Sequence, residues 1–418
     1  MIKGFSPFCR KFLLIALQIA FGFSSSQTKA MDWLNPLGWD LKTKCAVAVG
    51  TAVVAKKGWD AARKLKDRWC YDGSKVPLVY HENYNIGFFG VEKLHPFDSK
   101  KYGHVADELK KEWNISGLHF YEPASEVSKD SLLKVHSKEY LDSLRSSKAI
   151  QKIVEVPVAK IPNFLLQRYL LSPMRYATQG TILATQLAFK HGAAINLSGG
   201  YHHAKADNGS GFCVYADIPL ALQKLREKEK KDLKVLYIDL DAHQGDGVES
   251  CLENDKNIYF FDCYNEKNFP YATDSRELRE KIHKKLISKD IYCKKGNHSG
   301  NCQDCSDKYI NSVKNALPQA LDEFQEIHNT KPDLIFYNAG TDPFEEDRLG
   351  RMKLTKQGII DRDEFVFAQA LKHKVPICMT LSGGYSPRSA EIISASISNL
   401  WNKGFLKKIE KEDVVKLD

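Results

Sequence analysis

The chain has 418 residues, 43% apolar and 27% charged, with 26 Gly and 15 Pro, a mixture that excludes a collagenous, coiled-coil or wholly disordered protein. Its net charge of +9 is unevenly placed: residues 1–70 hold 12 Lys and Arg against 4 Asp and Glu, leaving 49 against 48 for residues 71–418. The body is neutral, which argues against an extended nucleic-acid footprint, and its length admits one large α/β domain or two smaller ones.

At the N-terminus, Lys3, Arg10 and Lys11 precede an apolar stretch at 12–23. Ser24 to Ser26 come next, then Thr28 and Ala30 at the spacing a signal peptidase reads. A basic start, a short apolar segment and a small-residue site resemble a secretory signal. The stretch of 12 residues reaches only ~18 Å as a helix, short of a ~30 Å hydrocarbon core. Residues 1–30 are therefore read as a signal peptide, with an uncleaved membrane anchor as the alternative. A second apolar run, 45–55, is flanked by Lys42, Lys44, Lys56 and Lys57. Continued through Trp59 and Trp69, it makes residues 31–75 a basic adapter, suited to an anionic membrane surface or to packing as an ordinary helix. Export or membrane association through residues 1–70 is the favoured location; cytoplasmic is the alternative.

From Val76 to the end at residue 418 no linker-like run interrupts the pattern. Short apolar runs at 193–197, 235–240, 257–261, 334–337 and 375–381 alternate with helical stretches such as 181–191, 218–230 and 306–329. Strands apolar on successive positions are buried on both faces. The alternation predicts a single doubly wound, mostly parallel sheet with helices on both faces. Ten cysteines are too few for a disulfide scaffold at this length. Cys213 and Cys378 adjoin apolar strands and read as buried small hydrophobes. Cys293, His298, Cys302 and Cys305 fall within one polar loop that suits a structural zinc, disulfides or free thiols.

The residues just beyond the strands carry the chemistry. Ser198-Gly199-Gly200-Tyr201-His202-His203 succeeds the first run, and Asp239, Asp241, His243 and Asp246 lie within and after the second. Thr341-Asp342 and Ser382-Gly383-Gly384-Tyr385 come after the fourth and fifth. Open parallel sheets bind ligands beyond the carboxyl ends of their strands, so that edge is the candidate active site. Period two puts Asp239, Asp241 and His243 on one face. Asp241, His243 and Asp342 make a two-carboxylate, one-imidazole set with an open position, which suits catalytic zinc and tolerates iron or manganese. Asp239 and Asp246 are available to orient His202 and His203, one of which can relay a proton to a leaving amine. Tyr385 can donate to a developing oxyanion. Together these describe hydrolysis of an amide.

These strings resemble the zinc-dependent histone deacetylase family: 198–203, Gly211-Phe212-Cys213, 239–247, 338–342 and 382–385. The stretches 92–98, 132–141 and 162–167 are similar to its class IV, histone deacetylase 11-like branch. The resemblance runs from about Val76 to Leu406 and implies the arginase-like α/β/α fold for a catalytic domain at 76–418. It implies Zn2+ on Asp241, His243 and Asp342, and the dyads His202–Asp239 and His203–Asp246. His203 would be the general base and acid, and Tyr385 would polarise the acyl carbonyl. Gly211, Phe212, Phe269 and Gly384 would contact the substrate, an acyl-lysine side chain of a protein or peptide. A structural K+ would sit near Asp239, although Asp262 departs from the small hydroxyl residue expected beside it. Class IV leans toward long acyl chains. A polyamine deacetylase shares every catalytic residue, an arginase-type ureohydrolase would need more carboxylates for a second metal, and a non-catalytic acyl-lysine reader would need none of this machinery.

Overall fold

The short apolar runs become the strands of one sheet. A computed structural model describes residues 74–87, 98, 100–270, 284–286 and 303–410, so the leader, most of the basic adapter and Cys293, His298 and Cys302 lie outside the described residues. The strands are β1 (Leu78–Val79), β2 (Ala193–Asn196), β3 (Val235–Asp239), β4 (Ile258–Asp262), β5 (Lys284–Leu286), β6 (Leu334–Asn338) and β7 (Ile377–Thr380). They lie in the order β1-β2-β7-β6-β3-β4-β5, and every neighbouring pair is parallel. The mostly parallel sheet expected from the sequence is wholly parallel among the described strands.

Alternation along each strand feeds two apolar layers. Leu236 and Ile238 of β3, Ile335 and Tyr337 of β6, and Ile377 and Met379 of β7 face one of them. That layer is closed by helices α1 (Lys101–Glu112), α5 (Gln303–His328), α6 (Lys356–His373) and α7 (Ser389–Asn402). Val235, Leu334, Phe336 and Cys378 face the other, under α2 (Ser172–His191) and α3 (Asp217–Glu229). Burying each such Leu, Ile or Phe side chain stabilises the fold by ~1.5–3 kcal/mol. Cys213 and Cys378 are both buried, as expected of small hydrophobes. A short helix, α4 (Asp246–Leu252), starts at one of the acids the sequence singled out. The second helix starts at Ser172 rather than 181, and the five residues before it, Gln167–Leu171, already follow a π-helical path into it.

The chain order decides where a ligand can sit. From β3 the chain moves outward through β4 to β5, then returns to the other side of β3 as β6 and continues to β7. The reversal between β3 and β6 opens a crevice at their carboxyl ends. Both strands end there in buried polar residues, Asp239 and Asn338, paired in register.

Candidate active site

Beyond Asp239 the backbone leaves the sheet in turns. The Asp241 N–H donates to Asp239 Oδ1 at 3.1 Å, and the His243 N–H donates to Asp241 Oδ1 at 3.0 Å. Each carboxylate draws in the amide two residues on, which curls the chain. The extended alternation expected through His243 therefore stops at Asp239, and Asp241 and His243 reach the edge by turn geometry. Across the crevice, Asp342 Oδ1 accepts from the Ala242 N–H at 2.8 Å. Its Oδ2 lies 2.8 Å from His243 Nδ1, and Asp241 Oδ1 lies 3.1 Å from the same nitrogen.

One donor atom from each of Asp241, His243 and Asp342 lies within 4.8 Å of the others, and all three residues are buried. Glycines make the crowding sterically possible. A Cβ at Gly340 would fall 2.1 Å from Asp241 Oδ2, and one at Gly383 would meet Asp241 and Asp342 at 2.6 and 2.8 Å. Burial and the Asp241 charge push the Asp342 carboxyl up to about 7. Burial works against charge on His243, but the two carboxylates outweigh it and hold the imidazole up to about 10. Two crowded acids and one imidazole with a glycine cradle are a donor set that fits a divalent cation such as zinc.

The paired histidines stand beside this cluster. Gly199 and Gly200 take φ of +74° and +78° after β2, turning the chain tightly. Buried Asp217 accepts from the Gly200 and Tyr201 N–H groups at 2.9 and 2.8 Å and fixes the turn. His202 Nδ1 lies 2.9 Å from Asp239 Oδ2, which also accepts from the Tyr237 hydroxyl at 2.5 Å. His203 Nδ1 lies 2.7 Å from Asp246 Oδ1, while Lys205 Nζ holds the other oxygen at 3.0 Å. The two imidazoles are set apart electrostatically. Burial disfavours charge on His202, yet Asp241 and Asp239 hold it up to about 9. Burial and the neighbouring His202 charge push His203 down to about 4. His203 is thereby a neutral imidazole able to take a proton.

A cavity of about 230 Å³ brings His203, Gly211, His243, Phe269 and Tyr385 together, with Glu155 and Arg351 also on its wall. A smaller cavity sharing His203, Gly211 and Tyr385 is walled by Phe212 and Gly383. The Phe269 ring meets His203 edge-on with centroids 5.0 Å apart. Gly211 sits at φ +52°, where a Cβ would fall 2.6 Å from the His203 ring. The Tyr385 ring stands edge-on to His243 at 6.1 Å. Burial and the charges of Asp342 and Asp241 hold its phenol well above the ordinary range, so it stays a donor. Gly384 lines neither cavity; its missing side chain leaves room for Thr341 instead, at 2.1 Å from a hypothetical Cβ.

Comparison with known proteins shows the family: residues 95–401 match the one described as histone deacetylase domain. The chain belongs to the histone deacetylase family. It is similar to histone deacetylase 2 of Arabidopsis thaliana, with 41% identity over 339 residues, 80% of this chain and 81% of that protein. It is also similar to histone deacetylase B of Dictyostelium discoideum, 28% identical over 326 residues covering 76% and 71% of the two chains. Among solved structures, the crystal structure of the HDA15 HD domain shares the fold, with a TM-score of 0.58 and 18% identity, covering 78% of this chain and 90% of that one. Membership makes the protein a deacetylase-type hydrolase on the arginase/deacetylase fold.

Three supports of this deacetylase site are not evident from the sequence. Lys101 of α1 is fully buried, and its ammonium donates to the carbonyls of Ser382, Gly383 and Gly384 at 2.9, 3.0 and 3.4 Å. Burial draws its pKa down to about 8 against the pull of nearby acids. Asp347 accepts from the Tyr385 N–H at 2.6 Å and from the Gly350 N–H at 3.0 Å, fastening the tyrosine's loop. Asn338 donates to Asp239 Oδ1 and to the Ser382 hydroxyl, both at 3.0 Å. Only Asn338 lies inside one of the motif strings that carry the family resemblance. Asp262, beside the expected potassium position, is fully buried and accepts from the Gly245 N–H at 3.0 Å. Cys305 is buried in the first turn of α5.

Proposed function

We propose that the protein is a zinc-dependent lysine deacylase that hydrolyses the side-chain amide of acyl-lysine. The observation that carries this is the convergence of His203, His243 and Tyr385 on one cavity, with Asp241 and Asp342 behind it. Zinc held by Asp241, His243 and Asp342 would polarise the acyl carbonyl and make water more acidic. His203, kept neutral by burial and oriented by Asp246, takes the proton as the water oxygen bonds to the acyl carbon. The Tyr385 hydroxyl donates to the carbonyl oxygen as its negative charge grows. When the carbon–nitrogen bond breaks, His203 returns the proton to the amine, leaving free lysine and a carboxylate. His202, charged beside Asp239, supplies fixed positive potential. Phe212, Phe269 and Gly211 form the walls against which an acyl-lysine stem would lie, and the loop of Gly383 and Gly384 presents Tyr385.

Among the described residues the wall carries one acid, Glu155, and one base, Arg351, a balance that does not favour a polyamine over a peptide. The class IV resemblance adds a preference for long acyl chains over acetyl. The site near Asp239 is proposed to take K+, and residues 1–70 to direct export or membrane association.

The test is a series of acyl-lysine peptides, acetyl to myristoyl, with an N-acetylated polyamine alongside, all incubated with the full chain. Release of lysine amine should be fastest from the longer acyl peptides. A protein that turns over only the polyamine, or nothing, would overturn the assignment.

A further inference from the structure

One buried cation has no part in this hydrolytic chemistry. Arg362, on α6, is fully enclosed within the apolar layer beneath the site. Its Nη1 donates to two main-chain carbonyls, Leu240 at 3.0 Å and Gly340 at 2.7 Å. Leu240 directly precedes Asp241, and Gly340 stands two residues before Asp342. Both carbonyls lie just past the last paired residues of β3 and β6, Asp239 and Asn338, where the ladder between the strands has ended. A single nitrogen therefore joins the two turns that carry the carboxylates of the proposed zinc site.

The cation is itself fixed. Its Nε donates to Asp363 Oδ1 at 2.8 Å, and its Nη2 lies 2.8 Å from the same oxygen. Asp363 also accepts from the Tyr337 hydroxyl at 2.5 Å and the Ser396 hydroxyl at 2.6 Å, which ties the pair to β6 and α7. The planar guanidinium can serve carboxylate and carbonyls at once, in directions that a lysine ammonium on a flexible stem does not reproduce.

We propose that Arg362 is a positioning residue that sets the separation of the Asp241 and Asp342 turns, and so the affinity of the site for its metal. The inference rests on the assignment of zinc to Asp241, His243 and Asp342. Groups that orient metal ligands typically change metal affinity 10–100-fold when removed.

The experiment measures zinc dissociation constants of the full chain by competition with a chromophoric chelator. It compares the wild type, Arg362→Lys and the double variant Arg362→Met/Asp363→Asn, and records urea unfolding of each metal-free protein. Arg362→Lys keeps a charge for Asp363, and the double variant removes the buried pair together, so the two perturb the fold in different ways. Zinc should bind 10–100-fold more weakly in the folded variants, and lost deacylation should return when zinc is raised. A folded variant with wild-type zinc affinity would overturn the proposal, as would lost activity that excess zinc does not restore. Wild-type protein that binds no zinc would fail at the earlier step and overturn the metal assignment itself. Wild-type protein that binds zinc without deacylating would overturn only the substrate assignment.

Discussion

At the level of single residues, function depends on small differences between chemically similar groups. His202 and His203 are adjacent and their ring centroids lie 4.1 Å apart, yet their environments drive them in opposite directions. His202 gains charge from Asp241 and Asp239, while His203 loses it to burial and to His202. In the proposed mechanism such separation gives one imidazole the fixed charge and the other the proton transfer. In that mechanism the Tyr385 hydroxyl has a different task, which is to bond more strongly to the oxyanion than to the ground-state carbonyl. Tyr385→Phe should lower turnover by ~10²–10³-fold, roughly 2.7–4 kcal/mol of transition-state stabilisation. Substrate affinity should change far less, because only interactions strengthened in the transition state act on the rate. Zinc content should not change, since the tyrosine stands outside the ligand set. Near-native turnover at saturating substrate would reduce Tyr385 to a wall of the cavity.

At the level of elements, the loop after β7 is held in place from a distant part of the chain. The Lys101 ammonium on α1 reaches a carbonyl 281 residues away, and its removal takes one donor from each of three carbonyls, of which that of Gly383 keeps the Thr341 N–H at 3.1 Å. Lys101→Met should destabilise the fold by roughly 1.5–3 kcal/mol, the net worth of hydrogen bonds to a charged group. It should also slow turnover by up to ~10²-fold through misplacement of Tyr385, while zinc stays bound. A denaturant midpoint and a rate at saturating substrate measure the two effects separately; an unchanged rate would show that the loop holds itself. This support marks the boundary of what the sequence discloses. The glycine-flanked His, Asp and Tyr strings were legible because strand, turn and functional residue are contiguous. The continuous burial of β3, β6 and β7 was legible because both faces demand apolar side chains, so successive positions are apolar. Lys101 and Arg362 were not, because in the sequence they are ordinary helix cations and their partners come from strand ends far along the chain. β1 and β5, of 2 and 3 residues, are too short to leave a periodic signal.

At the scale of the whole molecule, the same burial that tunes the site makes stability depend on pH. His136 is buried outside the catalytic cluster, where its Nε2 accepts from the Ala216 N–H at 2.9 Å. Burial holds its pKa down to about 4, from an ordinary value of 6.5. Between those values the unfolded chain binds a proton that the folded chain refuses. Stability therefore rises with pH across the window: it is fully present above about 6.5 and lost as pH falls toward about 4. At about 1.4 kcal/mol per unit, the full span is worth roughly 3 kcal/mol. His203 contributes with the same sign, so the His136 share must be isolated by difference. His136→Gln keeps an acceptor for the Ala216 N–H but cannot titrate. It should be slightly less stable than wild type near pH ~7.5, and the gap should close or reverse by pH ~4.5, when both are unfolded in urea at fixed total zinc. If the two proteins lose stability in parallel on acidification, His136 does not bear this linkage, and the acid sensitivity of the fold belongs to its other titratable groups.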